Sequence, residues 1–191
     1  MPIRRRRLPH LDAPGRPVFI TFRLFGSLPT SRKFPVSTLT SGQAFVAMDR
    51  LLDSAATGPL FLSRPDVAQV VVDAILRGAE LGHYDLHAWV LMSNHVHLLL
   101  TPAVRLSKLL GSLKTASAIR ANALLGRSGQ PFWQDESFDH LVRNEDEFRR
   151  ILRYIHTNPV VAGLAARAEE YRWSSAGAAN VATAASVAAP L

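Results

Sequence analysis

The sequence predicts an α+β fold in which an antiparallel sheet packs against helices. Strand-like segments alternate with segments whose apolar residues recur at helical spacing, and two strand-like segments are separated only by Ser93 and Asn94, as in a tight hairpin. Strands interleaved with helices, with a hairpin among them, are typical of an antiparallel α+β sandwich. The chain has 191 residues, of which 48% are hydrophobic and 19% charged, so we expect one domain with a packed core.

Four segments have the composition of β-strands and are bounded by turn-forming residues. They are residues 17–25, 84–92, 95–101 and 138–143. Gly15 and Gly26 bound the first, and Pro102 closes the third. Each of these segments is therefore predicted to be one strand of the sheet.

Four further segments place apolar residues on one helical face. They run from Phe45 to Leu52, from Val67 to Ile75, from Leu106 to Ile119 and from Phe148 to Ile155. The last is preceded by Asn144 as a candidate N-cap, with Glu147 three residues later. We expect Pro159 to end or kink this helix, because proline has no backbone N–H to donate.

Charge and composition narrow the possible functions. The net charge of +7 and a pI of about 10.7 favour a polyanionic partner, most simply nucleic acid. No apolar segment reaches the roughly 18 to 20 residues of a membrane span, and no signal peptide is recognisable, so a cytoplasmic protein without a membrane partner is expected. There are no cysteines, which excludes disulfides, thiolate zinc sites and cysteine nucleophiles.

The domain organisation predicted from composition is simple. Residues 1–16, which include the arginines at positions 4–7, form a basic N-terminal arm, and residues 17–175 form the functional domain. Residues 176–191 are rich in alanine and are expected to be a disordered tail.

His95 and His97 are the most informative residues of the chain. They flank Val96 in an apolar strand-like run, and alternate residues of a strand point to the same face. Two imidazoles that converge within an apolar sheet are costly unless a ligand or a hydrogen bond satisfies them. A divalent metal ion is the natural partner.

Tyr154 and Asn158 form a second element of the predicted site. At about 100° per residue, positions i and i+4 of the fourth helix lie roughly 40° apart and can face one site. A tyrosine hydroxyl becomes an effective nucleophile beside a cation, and an amide oxygen can complete a metal shell. Tyr84 and Tyr171 are rival nucleophiles, but neither is followed on such a helix by a ligand at i+4.

These segments together resemble a known family. Met92-Ser-Asn-His-Val-His-Leu-Leu99, Phe132-Trp-Gln-Asp-Glu-Ser-Phe138 and Tyr154-Ile-His-Thr-Asn-Pro-Val160 are similar to the motifs of the HUH single-tyrosine transposases, most of all the REP-associated tyrosine transposases. The resemblance spans about residues 17–175. It implies a ferredoxin-like sheet flanked by helices and cleavage of single-stranded DNA beside hairpins, hence DNA recombination by transposition.

The resemblance also implies roles for individual residues. His95, His97 and Asn158 would bind Mg²⁺ or Mn²⁺, and Tyr154 would attack the scissile phosphate to give a 5′-phosphotyrosine and a free 3′-hydroxyl. The expected partner is single-stranded DNA with hairpin or palindromic structure, bound by a monomer or homodimer. Six basic residues are expected to contact the DNA backbone: Lys108, Lys114, Arg120, Arg149, Arg150 and Arg153.

Two alternatives follow from the same sequence. The chain could be a noncatalytic, domesticated nucleic-acid-binding protein on the same scaffold, although an intact Tyr154 argues against this. His-x-His also opens the histidine-triad nucleotide hydrolases, whose nucleophilic histidine follows two residues later. That position here is Leu99, so this resemblance fails at the catalytic residue.

Overall fold

The computed structural model describes residues 14–28, 41–54 and 58–178. Its centre is one four-stranded antiparallel sheet with the strand order β2-β3-β1-β4. The strands are β1 (Val18–Arg23), β2 (Tyr84–Leu91), β3 (His95–Pro102) and β4 (Phe138–Leu141). The predicted α+β fold with an antiparallel sheet is confirmed.

In the described part of the chain, four α-helices cover the two faces of this sheet. They are α1 (Ser41–Asp53), α2 (Pro65–Glu80), α3 (Leu106–Leu124) and α4 (Glu145–Val161). Helices α2 and α3 bury their apolar residues against one face, while α4, together with Phe45 of α1, packs on the opposite face. The sheet is therefore enclosed between two helical layers.

Strands β1 and β3 are central and buried on both sides, which explains why their sequences are almost continuously apolar. Along β3, Val96 and Leu98 point towards α2 and α3, whereas Leu99 points towards α4. His95 and His97 alternate with Val96 and Leu98, so they share the face of Leu99. The period-2 pattern thus places both imidazoles under α4 and α1.

The connection between β2 and β3 is the tight hairpin expected at Ser93 and Asn94, closed by a hydrogen bond from Met92 N to His95 O (2.9 Å). Asn94 is 1% exposed. Its backbone oxygen accepts from Leu24 N (2.8 Å), and its side-chain amide donates to Leu52 O (3.0 Å). These bonds join the hairpin both to the end of β1 and to α1, next to His95.

Helix α4 begins as predicted, because the side chain of Asn144 accepts a hydrogen bond from Glu147 N (2.9 Å). It ends at Val161 rather than at Pro159. Pro159 lies in the last turn and its carbonyl accepts from Leu164 N (2.8 Å), while Gly163 adopts φ +71°. The glycine, not the proline, therefore terminates the helix.

The predicted basic arm lies outside the described residues except for positions 14–16, and the predicted tail does so beyond residue 178. Residues 175–178 form one helical turn, and the preceding segment pairs with the outer edge of β2 through Leu91 N and Trp173 O (2.8 Å). Among the described helices, none is both long and apolar enough to cross a membrane.

Candidate active site

The histidine pair forms the floor of a buried polar site between the sheet, α1 and α4. Both side chains are fully buried, at 0% exposure. Their Nε2 atoms lie 3.1 Å apart, so the two rings converge on one point as the His-Val-His spacing predicts.

Each histidine is oriented by a hydrogen bond at its other ring nitrogen. Nδ1 of His95 lies 2.7 Å from Oδ1 of Asn94, and Nδ1 of His97 lies 2.7 Å from Oγ1 of Thr21. The amide nitrogen of Asn94 already donates to Leu52 O, so Oδ1 accepts the proton of His95 Nδ1. This tautomer leaves Nε2 of His95 with a free lone pair.

Burial keeps this histidine neutral. Desolvation and the nearby His97 together lower the pKa of His95 to about 3, against the opposing effect of Asp49. A neutral imidazole with a free Nε2 is the form in which histidine binds a metal ion.

Helix α1 contributes two carboxylates to the same site. Oδ1 of Asp49 lies 3.2 Å from Nε2 of His97 and 3.7 Å from Nε2 of His95, and Oδ1 of Asp53 lies 3.6 Å from Nε2 of His95. Burial and repulsion by Asp49 together raise the pKa of Asp53 to about 7, against the opposing effect of His97. Burial also acts to raise the pKa of Asp49, but His97, His95 and Asn158 together hold it below its usual value. Asp49 is therefore the ionised carboxylate of the pair.

Helix α4 supplies Tyr154 and Asn158 from the opposite side. The amide nitrogen of Asn158 lies 3.5 Å from Nε2 of His97, and the Tyr154 ring centroid lies 5.5 Å from that of His97. The Tyr154 hydroxyl donates a hydrogen bond to Oδ2 of Asp49. The i and i+4 residues thus face one site, as the helical spacing predicts.

The residues of this site fit a divalent cation. Ligand atoms of Asp49, His95 and His97 all lie within 4.8 Å of one another. Within the described part of the chain, the buried Oδ1 atoms of Asp49, Asp53 and Asn158 have no hydrogen-bond partner. Unsatisfied buried oxygens beside two imidazole nitrogens are the donor set of a borderline or hard metal ion such as Mg²⁺ or Mn²⁺.

Sequence reasoning located four of the residues that meet here: His95, His97, Tyr154 and Asn158. It missed Asp49, Asp53, Asn94 and Thr21. Asp49 carried a signal, because it lies four residues after Phe45 and three before Leu52, on the apolar stripe of α1. A carboxylate on a buried stripe indicates a partner that the sequence of the helix alone does not reveal.

The remaining tyrosines lie away from the site. The Tyr84 hydroxyl donates to Ile75 O, and the Tyr171 hydroxyl donates to Leu91 O (2.8 Å). Burial raises the pKa of both groups, that of Tyr171 to about 12. Both hydroxyls thus donate to backbone carbonyls, whereas that of Tyr154 donates to Asp49 beside the histidine pair.

Three further histidines have partners outside the site. His87 contacts Thr101, with 2.8 Å between Nε2 and Oγ1, and His140 contacts Glu147, with 3.0 Å between Nε2 and Oε1. Nε2 of His156 lies 3.0 Å from Oγ of Ser175. These contacts are those of structural histidines.

The six basic residues expected to bind DNA lie on two helices on opposite faces of the sheet. Lys108, Lys114 and Arg120 belong to α3, and Arg149, Arg150 and Arg153 belong to α4. Lys114 donates to the carbonyl of Gln134 (3.0 Å). The residues therefore form two basic surfaces, and only the one on α4 is on the helix of Tyr154.

Comparison with known proteins relates the chain to a family model and to solved structures. The family model described as "Transposase IS200 like" matches residues 62–158, about half of the chain. A solved structure described as a REP-associated tyrosine transposase bound to a REP hairpin is similar with a TM-score of 0.59 and 18% sequence identity, over 90% of this chain and 82% of that chain. At 18% identity, this similarity shows only that the two chains share a fold. A comparison with curated proteins found no match.

Proposed function

Because the chain belongs to the family of IS200-like transposases, we propose that it is a metal-dependent single-stranded DNA endonuclease and strand transferase. It acts near DNA hairpins through a 5′-phosphotyrosine intermediate. One observation carries this proposal: the Tyr154 hydroxyl and the Nε2 atoms of His95 and His97 belong to a single buried site.

His95, His97 and Asn158 are the residues proposed to hold the cation, with Mg²⁺ or Mn²⁺ as the ion. The two Nε2 atoms are oriented for this by Asn94 and Thr21. The side-chain oxygen of Asn158 is buried without a hydrogen-bond partner among the described residues. A bound cation would withdraw charge from the scissile phosphate and make its phosphorus more susceptible to attack.

Tyr154 is the nucleophile in this proposal. Its oxygen forms a bond to phosphorus as the bond from phosphorus to the 3′-oxygen breaks, the tyrosine loses its proton, and the 3′-oxygen gains one. The products are a 5′-phosphotyrosine and a free 3′-hydroxyl. Since one phosphodiester replaces another, the bond energy is retained and the reverse attack rejoins DNA without ATP. The reaction is strand transfer rather than hydrolysis.

The proposed partner is single-stranded DNA with hairpin or palindromic structure. Two observations support this partner. The fold is similar to that of a transposase whose structure was solved with a bound REP hairpin, and the net charge of the chain is +7. Lys108, Lys114, Arg120, Arg149, Arg150 and Arg153 are proposed to contact its backbone. We place the protein in the cytoplasm, acting on DNA as a monomer or a homodimer.

The decisive experiment incubates the protein with 5′- and 3′-labelled single strands that carry a hairpin, followed by a denaturing gel. The parent protein should form a covalent complex with the 5′-phosphate fragment. Tyr154→Phe keeps the ring but removes the nucleophilic oxygen, so the complex should disappear while DNA binding remains. Tyr84→Phe and Tyr171→Phe are matched controls and should react like the parent.

Two outcomes would contradict the proposal. If Tyr154→Phe reacted as fast as the parent, another nucleophile would be at work. If the parent bound hairpin DNA with Mg²⁺ or Mn²⁺ present but never formed a covalent complex, the alternative of a noncatalytic nucleic-acid-binding protein would be favoured.

A further inference from the structure

We propose that Asp49 connects the metal site to the nucleophile. One carboxylate oxygen, Oδ1, is a further ligand of the cation held by His95 and His97, and the other, Oδ2, positions the Tyr154 hydroxyl. This inference rests on the proposed function, since it assigns a ligand and a positioning residue to that site.

The position of Oδ1 supports its role as a ligand. It lies 3.2 Å from Nε2 of His97 and 3.7 Å from Nε2 of His95. The residue is 4% exposed, and this oxygen has no hydrogen-bond partner among the described residues. A buried anionic oxygen without a partner is costly. A cation that contacts Oδ1 and both Nε2 atoms would remove that cost.

The position of Oδ2 supports its role in holding the nucleophile. The Tyr154 hydroxyl donates to it directly. The tyrosine ring is packed edge-on against Phe19 and Phe45, with centroid distances of 6.0 and 6.3 Å. These contacts restrict the ring and so set where the tyrosine oxygen lies relative to the two histidines. The hydrogen bond to Asp49 then sets the direction of the O–H bond.

The residue belongs to helix α1, which precedes the segment that matches the family model, residues 62–158. The histidines, Tyr154 and Asn158 all lie within that segment. Asp49 is thus an addition to the site that the family match does not account for. Helix α1 is joined to the β2–β3 hairpin about one turn after Asp49, where the carbonyl of Leu52 accepts a hydrogen bond from the Asn94 side chain.

Asp53 provides a matched control on the same helix. Its Oδ1 lies 3.6 Å from Nε2 of His95, so it is a half-buried carboxyl group close to the histidine pair. The hydrogen bond of Tyr154 goes to Asp49 and not to Asp53. An effect of replacing any carboxyl group beside the histidines would therefore appear in both Asn variants, whereas loss of the link to Tyr154 would appear only in Asp49→Asn.

The first measurement is Mn²⁺ binding by calorimetry to the parent, Asp49→Asn and Asp53→Asn. We expect Asp49→Asn to weaken binding on the order of 10- to 100-fold, as is typical when a group that shapes a metal site is removed, and Asp53→Asn to weaken it less. Unchanged or tighter binding by Asp49→Asn, or equal losses in the two variants, would overturn the assignment of Asp49 as a ligand.

The second measurement follows the tyrosines by NMR after labelling of their Cζ carbons with ¹³C. The chain has three tyrosines, so Tyr154→Phe assigns the resonance of Tyr154, and the other two report on the fold. We expect Asp49→Asn to shift only the Tyr154 resonance and to abolish its response to Mg²⁺, while Asp53→Asn leaves it at the parent position. A Tyr154 resonance that is the same in Asp49→Asn and in the parent would overturn the positioning role.

Asp49→Ser replaces Asp49→Asn in both measurements if the latter does not fold. Failure of this inference is distinguishable from failure of the proposed function. If Asp49→Asn binds Mn²⁺ like the parent while His95→Ala does not, and Tyr154 still becomes linked to DNA, the proposed function stands and only the role of Asp49 is wrong.

Discussion

Thr21 and His97 face each other across β1 and β3, and Oγ1 of Thr21 lies 2.7 Å from Nδ1 of His97. The contact fixes the ring so that Nε2 points towards Asp49 and His95. A hydrogen bond of this kind orients a metal-binding side chain without contacting the metal.

The first prediction concerns this contact. Thr21→Val removes the hydroxyl but keeps the branched shape of the side chain, so Nδ1 of His97 loses its partner. We expect the affinity for Mn²⁺, measured by calorimetry, to fall on the order of 10- to 100-fold. Thr101→Val is the matched control, because the Thr101 hydroxyl lies 2.8 Å from His87, outside the site. Equal affinities in both valine variants would show that the contact does not orient the ligand.

The second prediction concerns stabilisation by the metal. A ligand that binds only the folded state at 100 times its Kd adds about 2.7 kcal/mol to the free energy of unfolding. For a domain of this size we expect Tm to rise by roughly 5 to 11 °C with Mn²⁺. The double variant His95→Ala, His97→Ala should show no such rise in differential scanning calorimetry.

The control for this measurement is the double variant His87→Ala, His140→Ala, which removes two histidines with partners outside the site. It should retain the Mn²⁺-dependent increase. If both double variants retained the increase, the cation would bind elsewhere and the metal site would be wrong.

The fold could be predicted from the sequence because its local signals agree with its tertiary structure. The period-2 pattern of β3 placed His95 and His97 on one face, and the cap at Asn144 marked the start of α4. Pro159 was the exception. Because Pro159 lies beyond the first turn, its missing N–H costs α4 one hydrogen bond. The helix nevertheless continues to Val161, and Gly163, four residues after the proline, terminates it.

The site was predictable only where its residues have a fixed spacing along the chain. His95 with His97, and Tyr154 with Asn158, are pairs within one strand and one helix. Asp49 reaches the site from α1, and Thr21 from β1 through its pairing with β3. These positions depend on how the elements pack and on the strand register, which no local pattern specifies.

The third prediction concerns the N-cap of α4. The Asn144 side chain accepts a hydrogen bond from Glu147 N (2.9 Å), so Asn144→Ala leaves a helix N–H without its partner. We expect a loss of about 1 kcal/mol in the free energy of unfolding, measured by urea denaturation. Covalent-complex formation at 25 °C should not change, because Tyr154 lies nearly three turns further along the helix. A loss of activity without a loss of stability would contradict this structural role.

The last prediction separates the two basic surfaces. Arg149, Arg150 and Arg153 are exposed on the helix that carries Tyr154, whereas Lys108, Lys114 and Arg120 lie on α3 across the sheet. Binding of single-stranded DNA should weaken linearly with the logarithm of the salt concentration, by about 0.7 in slope for each phosphate contact.

Replacing the three α4 arginines with glutamine should reduce the magnitude of that slope by about 2. Replacing Lys108, Lys114 and Arg120 of α3 with glutamine measures the contribution of the second surface. Glutamine keeps most of the aliphatic part of the side chain, so the variants differ chiefly in charge. The ion pairs of Arg149 with Glu145 and of Arg150 with Glu147 are solvent-exposed on the arginine side, so their loss should cost little stability. If neither triple variant altered the slope, these six residues would not contact the DNA backbone, and the basic N-terminal arm would be the next candidate.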